Sequence, residues 1–326
     1  MGPRGLDMQR PRSLDQTQRG KFGPIDVSLY IPCYNVSKFL EGTLTAIGCQ
    51  TYPVSETLVI DDGSSDDIRQ IAKLHNAKYI RHEINKGLGA ARNTAIRESR
   101  SPFLASLDAD CYPAPTWLEA LVTKISRKIV GVGGKTVEVY TSTYPDRWRA
   151  LHMKQHWGDN YLLDPPEIAG SNTLFEKSTL LEVGGYDERL RTNGEDSDIS
   201  RKIHEHGHHF AYDPAAVVFH QRKDTFQSVA RSYWQYCNPP TKFKDGCSLP
   251  RGIAFDAGLA AKRGAGDLLG GNLWATGLPL MFLPMWFRMT KSTWQRVRKQ
   301  AGSCGTCMKG FASPGRREQL TLVTRD

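Results

Sequence analysis

Two aspartates separated by one residue, Asp108 and Asp110, directly follow an apolar run that ends at Leu107. Carboxylate oxygens are the ligands that hard divalent cations prefer, and bound Mg²⁺ commonly keeps water or substrate phosphates in its remaining positions. Such a cation can neutralise a diphosphate group while a bond to that group breaks. An Asp-x-Asp pair is also common in ordinary surface loops, so its meaning depends on the residues that accompany it.

The elements that must position this pair alternate between strand and helix patterns from Ile25 onward. The apolar spacing predicts strands at 27–31, 57–60, 78–80 and 103–107, joined by helices at 38–50, 68–74 and 89–98. This alternation is typical of a parallel sheet covered by helices, in which ligands bind beyond the carboxyl ends of the strands. Polar clusters at 32–35, 61–65 and 108–110 follow strand ends, so we expect them to meet in one crevice.

The pattern is less regular after a further helix at 117–128. Later strands are predicted at 130–140, 168–175, 209–212 and 215–220. The acidic run Gly194-Glu-Asp-Ser-Asp198 opens a helix that ends near Gly207. Acidic residues also suit a helix N-terminus electrostatically, so part of this run can serve as capping alone.

Seven short segments stand in order within residues 26–222. They are Ile31-Pro-Cys-Tyr-Asn35, Val59-Ile-Asp-Asp-Gly-Ser-Ser-Asp66, Asn85-Lys-Gly-Leu-Gly-Ala-Ala-Arg-Asn93, Leu107-Asp-Ala-Asp110, Gly184-Gly-Tyr-Asp-Glu188, Gly194-Glu-Asp-Ser-Asp198 and Val217-Val-Phe-His220. Together they resemble the inverting glycosyltransferases of family 2. The resemblance implies a GT-A-type α/β fold, with a Rossmann-like, mostly parallel central sheet flanked by helices. It also implies a nucleotide-diphospho-sugar donor, with a UDP-sugar favoured over a GDP-sugar, and Mn²⁺ or Mg²⁺ as cofactor.

The resemblance assigns the first two polar clusters to the donor nucleoside. Pro32, Tyr34 and Asn35 end the first strand, where a base ring can stack and meet free backbone groups. The carboxylates of Asp61 and Asp62 are suited to accept hydrogen bonds from a base N–H or a ribose hydroxyl. Each cluster also fits a simple strand-ending turn.

The next segments are assigned to the diphosphate and the sugar. Lys86 and Arg92 would supply cations near the diphosphate, and Gly87 would permit its close approach; the alternative for Arg92 is a solvated helix face. Asp108 would face the ribose or the donor sugar.

Metal binding is assigned to two residues. Asp110 would bind the cation, and His220 matches a position from which some relatives supply a further metal contact. The alternative for a single histidine is a structural role.

Catalysis is assigned to the acidic run. Inversion requires one base that deprotonates the acceptor hydroxyl as this hydroxyl attacks the anomeric carbon, and a positioned carboxylate serves this purpose. We interpret Asp196 as that base and Glu195 as its support. Ser171 and Asn172 are expected to contact the sugar or the acceptor, although Gly-Ser-Asn is also a common turn.

A segment typical of processive family members, Gln-x-x-Arg-Trp, is missing after residue 222, where Arg231-Ser-Tyr-Trp-Gln-Tyr236 stands instead. Transfer of one or a few sugars is therefore favoured over polymer synthesis. We expect a saccharide or lipid-linked acceptor and a role in surface polysaccharide or glycolipid assembly. Two alternatives remain: an inactive, membrane-associated relative that acts as a scaffold, and a sugar-phosphate nucleotidyltransferase. The second usually has a Gly-rich loop after its first strand, which Pro32-Cys-Tyr-Asn35 does not provide.

The net charge of +9 on 326 residues lies in the two ends of the chain. Residues 1–24 carry +3 and residues 288–326 carry +7, so the body between them is nearly neutral. Basic ends attract phosphate-rich surfaces. Because no nucleic-acid reader motif accompanies them, we expect no nucleic-acid partner and favour an anionic membrane surface.

The cysteines and the N-terminal residues bear on location. Residues 1–24 lack the apolar core of a signal peptide, and the number of cysteines, seven, is odd. We therefore expect reduced thiols in a cytoplasmic protein, peripheral on the inner face of the cytoplasmic membrane.

The long apolar segment at 267–287 is interrupted by glycines and prolines. A membrane-spanning helix needs about 20 apolar residues. Trp and Phe residues followed by Arg and Lys favour an anchor at the membrane surface. The alternatives are a buried helical hairpin and, third, a single span.

These observations divide the chain into five parts. They are a disordered basic tail at 1–24, a nucleotide-sugar-binding half at 25–128, an acceptor-binding and catalytic half at 129–225, a helical, interfacial extension at 226–300 and a flexible basic tail at 301–326.

Overall fold

The computed structural model describes residues 25–238 and 248–303, with side chains as far as Arg298. The predicted tail at 1–24 and nearly all of the one at 301–326 lie outside the described residues. The chain forms two compact units, of which the first ends at Val229 and the second begins at Ala230.

The first unit opens with four parallel strands in the order β3-β2-β1-β4. The strands are β1 (Val27–Cys33), β2 (Glu56–Asp61), β3 (Lys78–Arg81) and β4 (Phe103–Leu107), and the helices between them are α1 (Ser37–Gly48), α2 (Ile68–Leu74) and α3 (Leu88–Glu98). Both faces of β1, at the centre of this group, are buried. Leu29 and Ile31 of β1 lie in one apolar cluster, and Tyr30 lies in the cluster on the other face. The predicted alternation of strands and helices is confirmed here.

The rest of the first unit extends this sheet with strands of both directions. Its strands are β5 (Cys111–Pro113), β6 (Ile129–Glu138), β7 (Leu162–Leu163), β8 (Asn172–Glu176) and β9 (His209–His220), and its helices are α4 (Trp117–Lys124), α5 (Tyr144–His152), α6 (Lys177–Glu182) and α7 (Glu195–Glu205). β8 runs antiparallel between β4 and β6, whereas β6 and β9 are parallel. The predicted α/β sheet flanked by helices is confirmed, but it is mixed rather than mostly parallel. Apolar periodicity does not report strand direction, because a strand buries the same face in either direction.

Two strand boundaries differ from the sequence prediction. β1 continues through Pro32 to Cys33, which is possible because the pairing of β1 with β4 stops at Tyr30. Proline lacks a backbone N–H and is tolerated where no ladder bond is needed from it. The two strands predicted at 209–212 and 215–220 are one strand, β9, with a register shift against β6 between Gly134 and Lys135.

The second unit is helical. Its helices are the end of α8 (Phe226–Cys237), α9 (Leu249–Leu269) and α10 (Leu278–Ser303). The Thr290 hydroxyl donates to Asp256 at 2.5 Å, and the indole N–H of Trp286 donates to the Ala230 carbonyl at 2.9 Å. The apolar segment therefore belongs to a packed helical hairpin. Among the described residues, no helix has the length and apolar character that crossing a membrane requires.

Candidate active site

The loops after β1 and β2 are hydrogen-bonded to each other. The backbone N–H of Asn35 donates to the Ser64 hydroxyl at 3.1 Å, and the Asn35 side-chain oxygen accepts from the Ser65 N–H at 2.8 Å. Asn35 adopts a φ of 55°, a conformation that asparagine tolerates better than most residues. Pro32 lies at the base of this loop, and the Tyr34 side chain is about half exposed beside it. The two loops therefore meet, as the sequence predicts.

Asp61, the last residue of β2, is fully buried. Its carboxylate accepts hydrogen bonds from the Ser64 N–H at 2.8 Å, from the Tyr79 hydroxyl at 2.5 Å and from Arg81. Burial acts to raise the pKa of Asp61, but these hydrogen bonds and the charge of Arg81 lower it overall. A nucleoside would have to share this carboxylate with three protein donors, so its contact with a base or a ribose stays a prediction.

Asp62 supports the loop that precedes α3. Its carboxylate accepts from the backbone N–H groups of Lys86 and Gly87, at 2.8 and 2.7 Å, and contacts the His82 ring at 2.7 Å. Gly87 has a φ of 101°, and a Cβ there would lie 2.8 Å from Arg191, so a glycine is required. The Lys86 side chain is exposed, and its contact with a diphosphate stays a prediction.

Arg92 is the buried centre of the site. The residue is 1% exposed, and its Nη1 atom donates to the Ser106 hydroxyl at 2.8 Å and to the Gly170 carbonyl at 2.6 Å. Burial acts to lower its pKa, but nearby tyrosines and carboxylates, Tyr30 and Asp196 foremost, raise it well above its ordinary value. The alternative of a solvated helix face is therefore wrong, and the guanidinium is a permanent buried cation.

Three carboxylates surround this cation. The Arg92 Nη2 atom lies 3.7 Å from Asp108, 3.6 Å from Glu195 and 3.8 Å from Asp196. Because Asp108 follows β4 and the other two begin α7, the guanidinium joins the two acidic motifs of the sequence. A Cβ at Gly170 would lie 2.5 Å from both Arg92 and Asp196, so only glycine allows this approach.

The carboxylates differ in access and protonation. Glu195 is 2% exposed, and burial and the adjacent Asp196 raise its pKa well above the ordinary value. Burial raises the pKa of Asp108 to about 6, against the effect of Arg92. The Asp196 side chain is 28% exposed. Of Glu195 and Asp196, the latter is thus the one that a substrate can reach.

Several polar atoms around Arg92 are buried without a hydrogen-bond partner. They are Nε of Arg92, Oδ1 of Asp108, Oγ of Ser171, Oε2 of Glu195 and Oδ1 of Asp196. Buried polar atoms are normally satisfied, because leaving one unpaired costs about 1–3 kcal/mol. Such a cluster is typical of a site that a polar ligand completes.

Asp110 and His220 lie side by side, since β5 pairs with the end of β9. The His220 Nε2 atom is 3.2 Å from Asp110 Oδ2, and its Nδ1 atom is 2.9 Å from Glu138. Burial acts to lower the pKa of His220, but hydrogen bonds to Asp110 and Glu138 raise it to about 9. Together with the Cys111 thiol, Asp110 and His220 place three potential ligand atoms within 4.8 Å of one another.

The two residues expected to contact the sugar or the acceptor are placed differently. Ser171 is buried beside Asp108, whose backbone N–H donates to the Ser171 carbonyl at 3.4 Å. Asn172 is fully buried, and its amide bonds to the Trp117 indole at 2.6 Å and to the Ala216 carbonyl at 3.1 Å. The Asn172 amide holds β8, α4 and β9 together, so its contact with a substrate stays a prediction.

A family model described as Glycosyl transferase family 2 matches residues 28–183, which include Asp108, Asp110 and Arg92. This part of the chain is a family 2 glycosyltransferase domain. The remainder of the site, from Glu195 to His220, lies beyond the matched residues.

Relatives of this domain support the same family. Glycosyltransferase AglE of Haloferax volcanii is 34% identical over 180 residues, which cover 52% of this chain and 58% of that protein. The poly-beta-1,6-N-acetyl-D-glucosamine synthase of Staphylococcus epidermidis is 28% identical over 208 residues, 59% of this chain and 49% of that protein. The chain spans about half the length of the curated relatives it matches.

Two solved structures show the same fold as the glycosyltransferase domain. A mannosyltransferase from Pyrobaculum calidifontis, in complex with GDP-Man and Mn²⁺, superposes with a TM-score of 0.53 at 20% identity, over 88% of this chain and 78% of that one. GalNAc-T7 with UDP, GalNAc and Mn²⁺ gives a TM-score of 0.51 at 22% identity, over 60% and 44%. At these identities the likeness is evidence of the GT-A fold alone.

Sequence reasoning missed several residues of the candidate site. His82 and Glu138 each orient a residue of the predicted set, namely Asp62 and His220, and no motif surrounds either of them. In the structure Glu138 is the last residue of β6 and His82 directly follows β3, so both stand at strand ends, and the predicted strand at 78–80 was a signal for His82 alone.

An exposed tryptophan near the acidic helix was also missed. Trp157 is 42% exposed, and its indole N–H donates to the Glu167 carbonyl at 2.7 Å. The Glu167 carboxylate accepts a hydrogen bond from Ser197, the residue that follows Asp196. Glu167 therefore connects the indole to the neighbour of Asp196 by two hydrogen bonds. The sequence signal that could have indicated Trp157 was the high aromatic content of residues 145–165.

Proposed function

We propose that this chain transfers a sugar from a nucleotide-diphospho-sugar to an acceptor hydroxyl by a single displacement with inversion. One observation carries the proposal: the Arg92 guanidinium lies within 3.8 Å of Asp108, which is next to the Asp110–His220 pair, and of both Glu195 and Asp196. A donor site and a base site must adjoin for a single displacement, because the attacking oxygen and the leaving group act on the same carbon.

A divalent cation, Mn²⁺ or Mg²⁺, fits the donor side of the crevice. Asp110 and His220 would hold it, and the unpartnered Oδ1 of Asp108 would face the ribose or sugar. When bound, such a cation neutralises charge on the departing diphosphate. Glu138 accepts a hydrogen bond from the other His220 nitrogen, which fixes the ring for coordination.

Asp196 acts as the base. As the acceptor oxygen forms its bond to the anomeric carbon, the bond from that carbon to the diphosphate breaks, and the hydroxyl proton passes to the Asp196 carboxylate. A positioned base of this kind contributes about 10²–10⁴-fold to the rate. Glu195 is too deeply buried to reach a substrate. It lies next to Arg92 on the protein side of Asp196 and helps to position the Asp196 carboxylate.

The donor is a UDP-sugar or a GDP-sugar, with UDP favoured. The solved relatives named above bind UDP or GDP-Man together with Mn²⁺, which supports this class of donor. In the proposal the donor meets Pro32, Tyr34, Asn35 and Lys86, and the buried Asp61, Asp62, Gly87 and Arg92 hold these loops and the neighbouring carboxylates in place.

The acceptor is a saccharide or a lipid-linked saccharide in surface polysaccharide or glycolipid assembly. Trp157 offers an exposed indole that is linked through Glu167 to Ser197, the neighbour of Asp196, and aromatic faces suit the C–H face of a sugar ring. In the proposal the unpartnered Ser171 hydroxyl completes this wall, and Asn172 supports it by joining β8 to α4 and β9. We place the protein in the cytoplasm, on the inner face of the cytoplasmic membrane.

Thermal unfolding of the full chain with UDP, GDP, CMP and dTDP, each with and without Mn²⁺, tests the donor site. A ligand at about 100 times its Kd stabilises the native state by about 2.7 kcal/mol. We expect a Mn²⁺-dependent shift with UDP that Asp110→Asn abolishes. No shift with any nucleotide favours the inactive scaffold, and a shift accompanied by nucleotide transfer to a sugar phosphate favours the nucleotidyltransferase.

A further inference from the structure

The connection between α9 and α10 exposes large apolar side chains. We name residues 268–281 the hairpin tip. Within it, Leu269 is 89% exposed, Leu273 is 70% exposed and Met281 is 67% exposed, and Leu268 and Leu280 are also more than half exposed. Single exposed apolar residues are ordinary, whereas a contiguous apolar patch marks an interaction surface.

Backbone groups of the hairpin tip are bonded within the tip and to the end of α9. The N–H of Gly270 donates to the Gly266 carbonyl at 2.9 Å, and the N–H of Asn272 donates to the Asp267 carbonyl at 2.7 Å. The N–H of Ala275 donates in turn to the Asn272 carbonyl at 2.9 Å. A segment that enters hydrocarbon needs such internal bonds, because no water is available there to replace them. These bonds reduce the number of backbone groups of the tip that need water.

The charges of the second unit are one-sided. Among its described side chains, the cations are Arg231, Arg251, Lys262, Arg263, Arg288, Lys291, Arg296 and Arg298. Its described acidic residues, Asp256 and Asp267, are both buried. The described surface of this unit therefore presents fixed positive charge without exposed carboxylates, which complements an anionic surface.

The spacing of these charges matches the depth of an inserted tip. Lys262 precedes Leu269 by seven residues, and Arg288 follows Met281 by seven residues. At a helical rise of about 1.5 Å per residue, each of these two exposed cations stands about 10 Å along its helix from the tip. Interfacial elements bury their apolar faces about 5–10 Å into the boundary between the lipid head groups and the acyl chains. Cations at this distance therefore meet the phosphates when the tip is buried.

We propose that the hairpin tip inserts into one leaflet of a bilayer that contains anionic lipid, with Lys262 and Arg288 at the level of the phosphates. Leu269, Leu273 and Met281 enter the acyl boundary, and neither helix crosses the membrane. This proposal is independent of the transferase activity, because it rests on residues of the second unit alone.

Vesicle binding by the full chain tests the proposal. The probes are sedimented vesicles of phosphatidylcholine alone and of phosphatidylcholine with phosphatidylglycerol. We expect binding to the anionic vesicles, and we expect Leu269→Ser/Leu273→Ser/Met281→Ser to weaken it about tenfold or more. The matched control is Leu74→Ser/Leu181→Ser, which replaces leucines that are 67% and 56% exposed in the first unit. This control should bind within about twofold of the unmodified chain.

The charges are tested separately with Lys262→Glu/Arg288→Glu. This variant should bind vesicles with and without phosphatidylglycerol equally well. The triple serine variant should bind both kinds more weakly and still prefer the anionic ones. Circular dichroism reports whether each variant folds. A second measurement leaves the exposed leucines and the methionine of the tip unchanged. It uses lipids brominated on their acyl chains, which quench the fluorescence of nearby tryptophans. Trp274 lies within the tip, so Trp274→Phe should remove part of the quenching seen with the unmodified chain.

Three results would overturn the proposal. One is equal vesicle binding by the unmodified chain and the triple serine variant. Another is a loss of binding that the Leu74→Ser/Leu181→Ser control reproduces. The third is a triple serine variant that differs from the unmodified chain in oligomeric state but not in vesicle binding. Size-exclusion chromatography with light scattering measures the oligomeric state, and this result would assign the tip to contact with a second copy.

Discussion

The Nη2 atom of Arg92 lies 3.8 Å from the Oδ1 atom of Asp196, although the two residues belong to different helices and different sequence motifs. Arg92 comes from α3, beside the predicted donor loops, and Asp196 comes from the first turn of α7. The pair links the proposed donor side to the proposed base. A single buried cation thereby sets the distance between the groups that a displacement reaction must bring together.

Asp196→Asn should lower the rate of sugar transfer by about 10²–10⁴-fold, because the amide cannot take the acceptor proton. The nucleotide-induced thermal shift should remain, since the donor side is untouched. Transfer assays with radiolabelled donor measure the first quantity. Asp198→Asn is the matched control on the same helix, where the carboxylate bonds to Arg201 and Lys202. A larger loss in Glu195→Gln than in Asp196→Asn would contradict the assignment.

Arg92→Met should destabilise the fold by about 3–5 kcal/mol, because three carboxylates lose their buried counter-charge. Urea unfolding followed by tryptophan fluorescence measures the change. Adding Asp196→Asn should restore part of the stability, since it removes one of the unpaired charges. Arg97→Met on the same helix provides the control. Equal destabilisation in the single and double variants would show that lost packing, and not charge, accounts for the effect.

Glu138→Gln should weaken Mn²⁺ binding by about 10–100-fold, because the amide no longer stabilises the orientation of the His220 ring as a carboxylate does. Electron paramagnetic resonance of free Mn²⁺ gives the affinity directly. Glu176→Gln, at the end of a neighbouring strand, serves as the control. Unchanged affinity in Glu138→Gln would remove His220 from the proposed ligand set.

Trp157→Ala should raise the acceptor KM by about five- to a hundred-fold. This range takes the loss of the aromatic face as about 1–3 kcal/mol of binding free energy, as for a nucleic-acid base stacked on an aromatic side chain. Donor hydrolysis by water should be unchanged, because no acceptor is involved. Trp157→Phe should retain most of the acceptor affinity. Tyr161→Ala, whose ring contacts Lys124 in the same segment, tests whether the segment as a whole is disturbed. An equal effect of both alanine variants would argue against a specific role of the indole.

Stability should depend on pH through Asp61, whose pKa in the folded state lies below its ordinary value of 3.8. Its ionised carboxylate therefore stabilises the fold above the unfolded-state pKa, and this contribution is lost as the pH falls through the folded-state pKa. The difference in melting temperature between the unmodified chain and Asp61→Asn should be large at pH 7 and shrink below about pH 4. Differential scanning calorimetry measures it. A difference that stays constant between these pH values would rule out the ionised form as the cause, and Asp26→Asn is the surface control.

The sequence by itself determined the fold class and the edge of the sheet that carries the site. Strand and helix periodicities are local, and the rule that ligands bind beyond the carboxyl ends of parallel strands needs no coordinates. The loops after β1, β2 and β4 were therefore placed correctly, and ordered motifs were enough to indicate the family.

Only the tertiary structure decided which of these residues are free to bind a ligand. Asp62 and Asn172 are residue types that often contact substrates. In the structure the Asp62 carboxylate accepts hydrogen bonds from backbone N–H groups, and the Asn172 amide accepts one from the Trp117 indole, all from distant parts of the chain. The sequence assigned Arg92 to the diphosphate, with a solvated helix face as the alternative, yet the residue is buried among carboxylates. Burial and hydrogen-bond pairing depend on segments far apart in sequence, which a local pattern does not contain. The same reason explains β8, whose antiparallel direction follows from the route of the chain through residues 114–171 and not from its own residues.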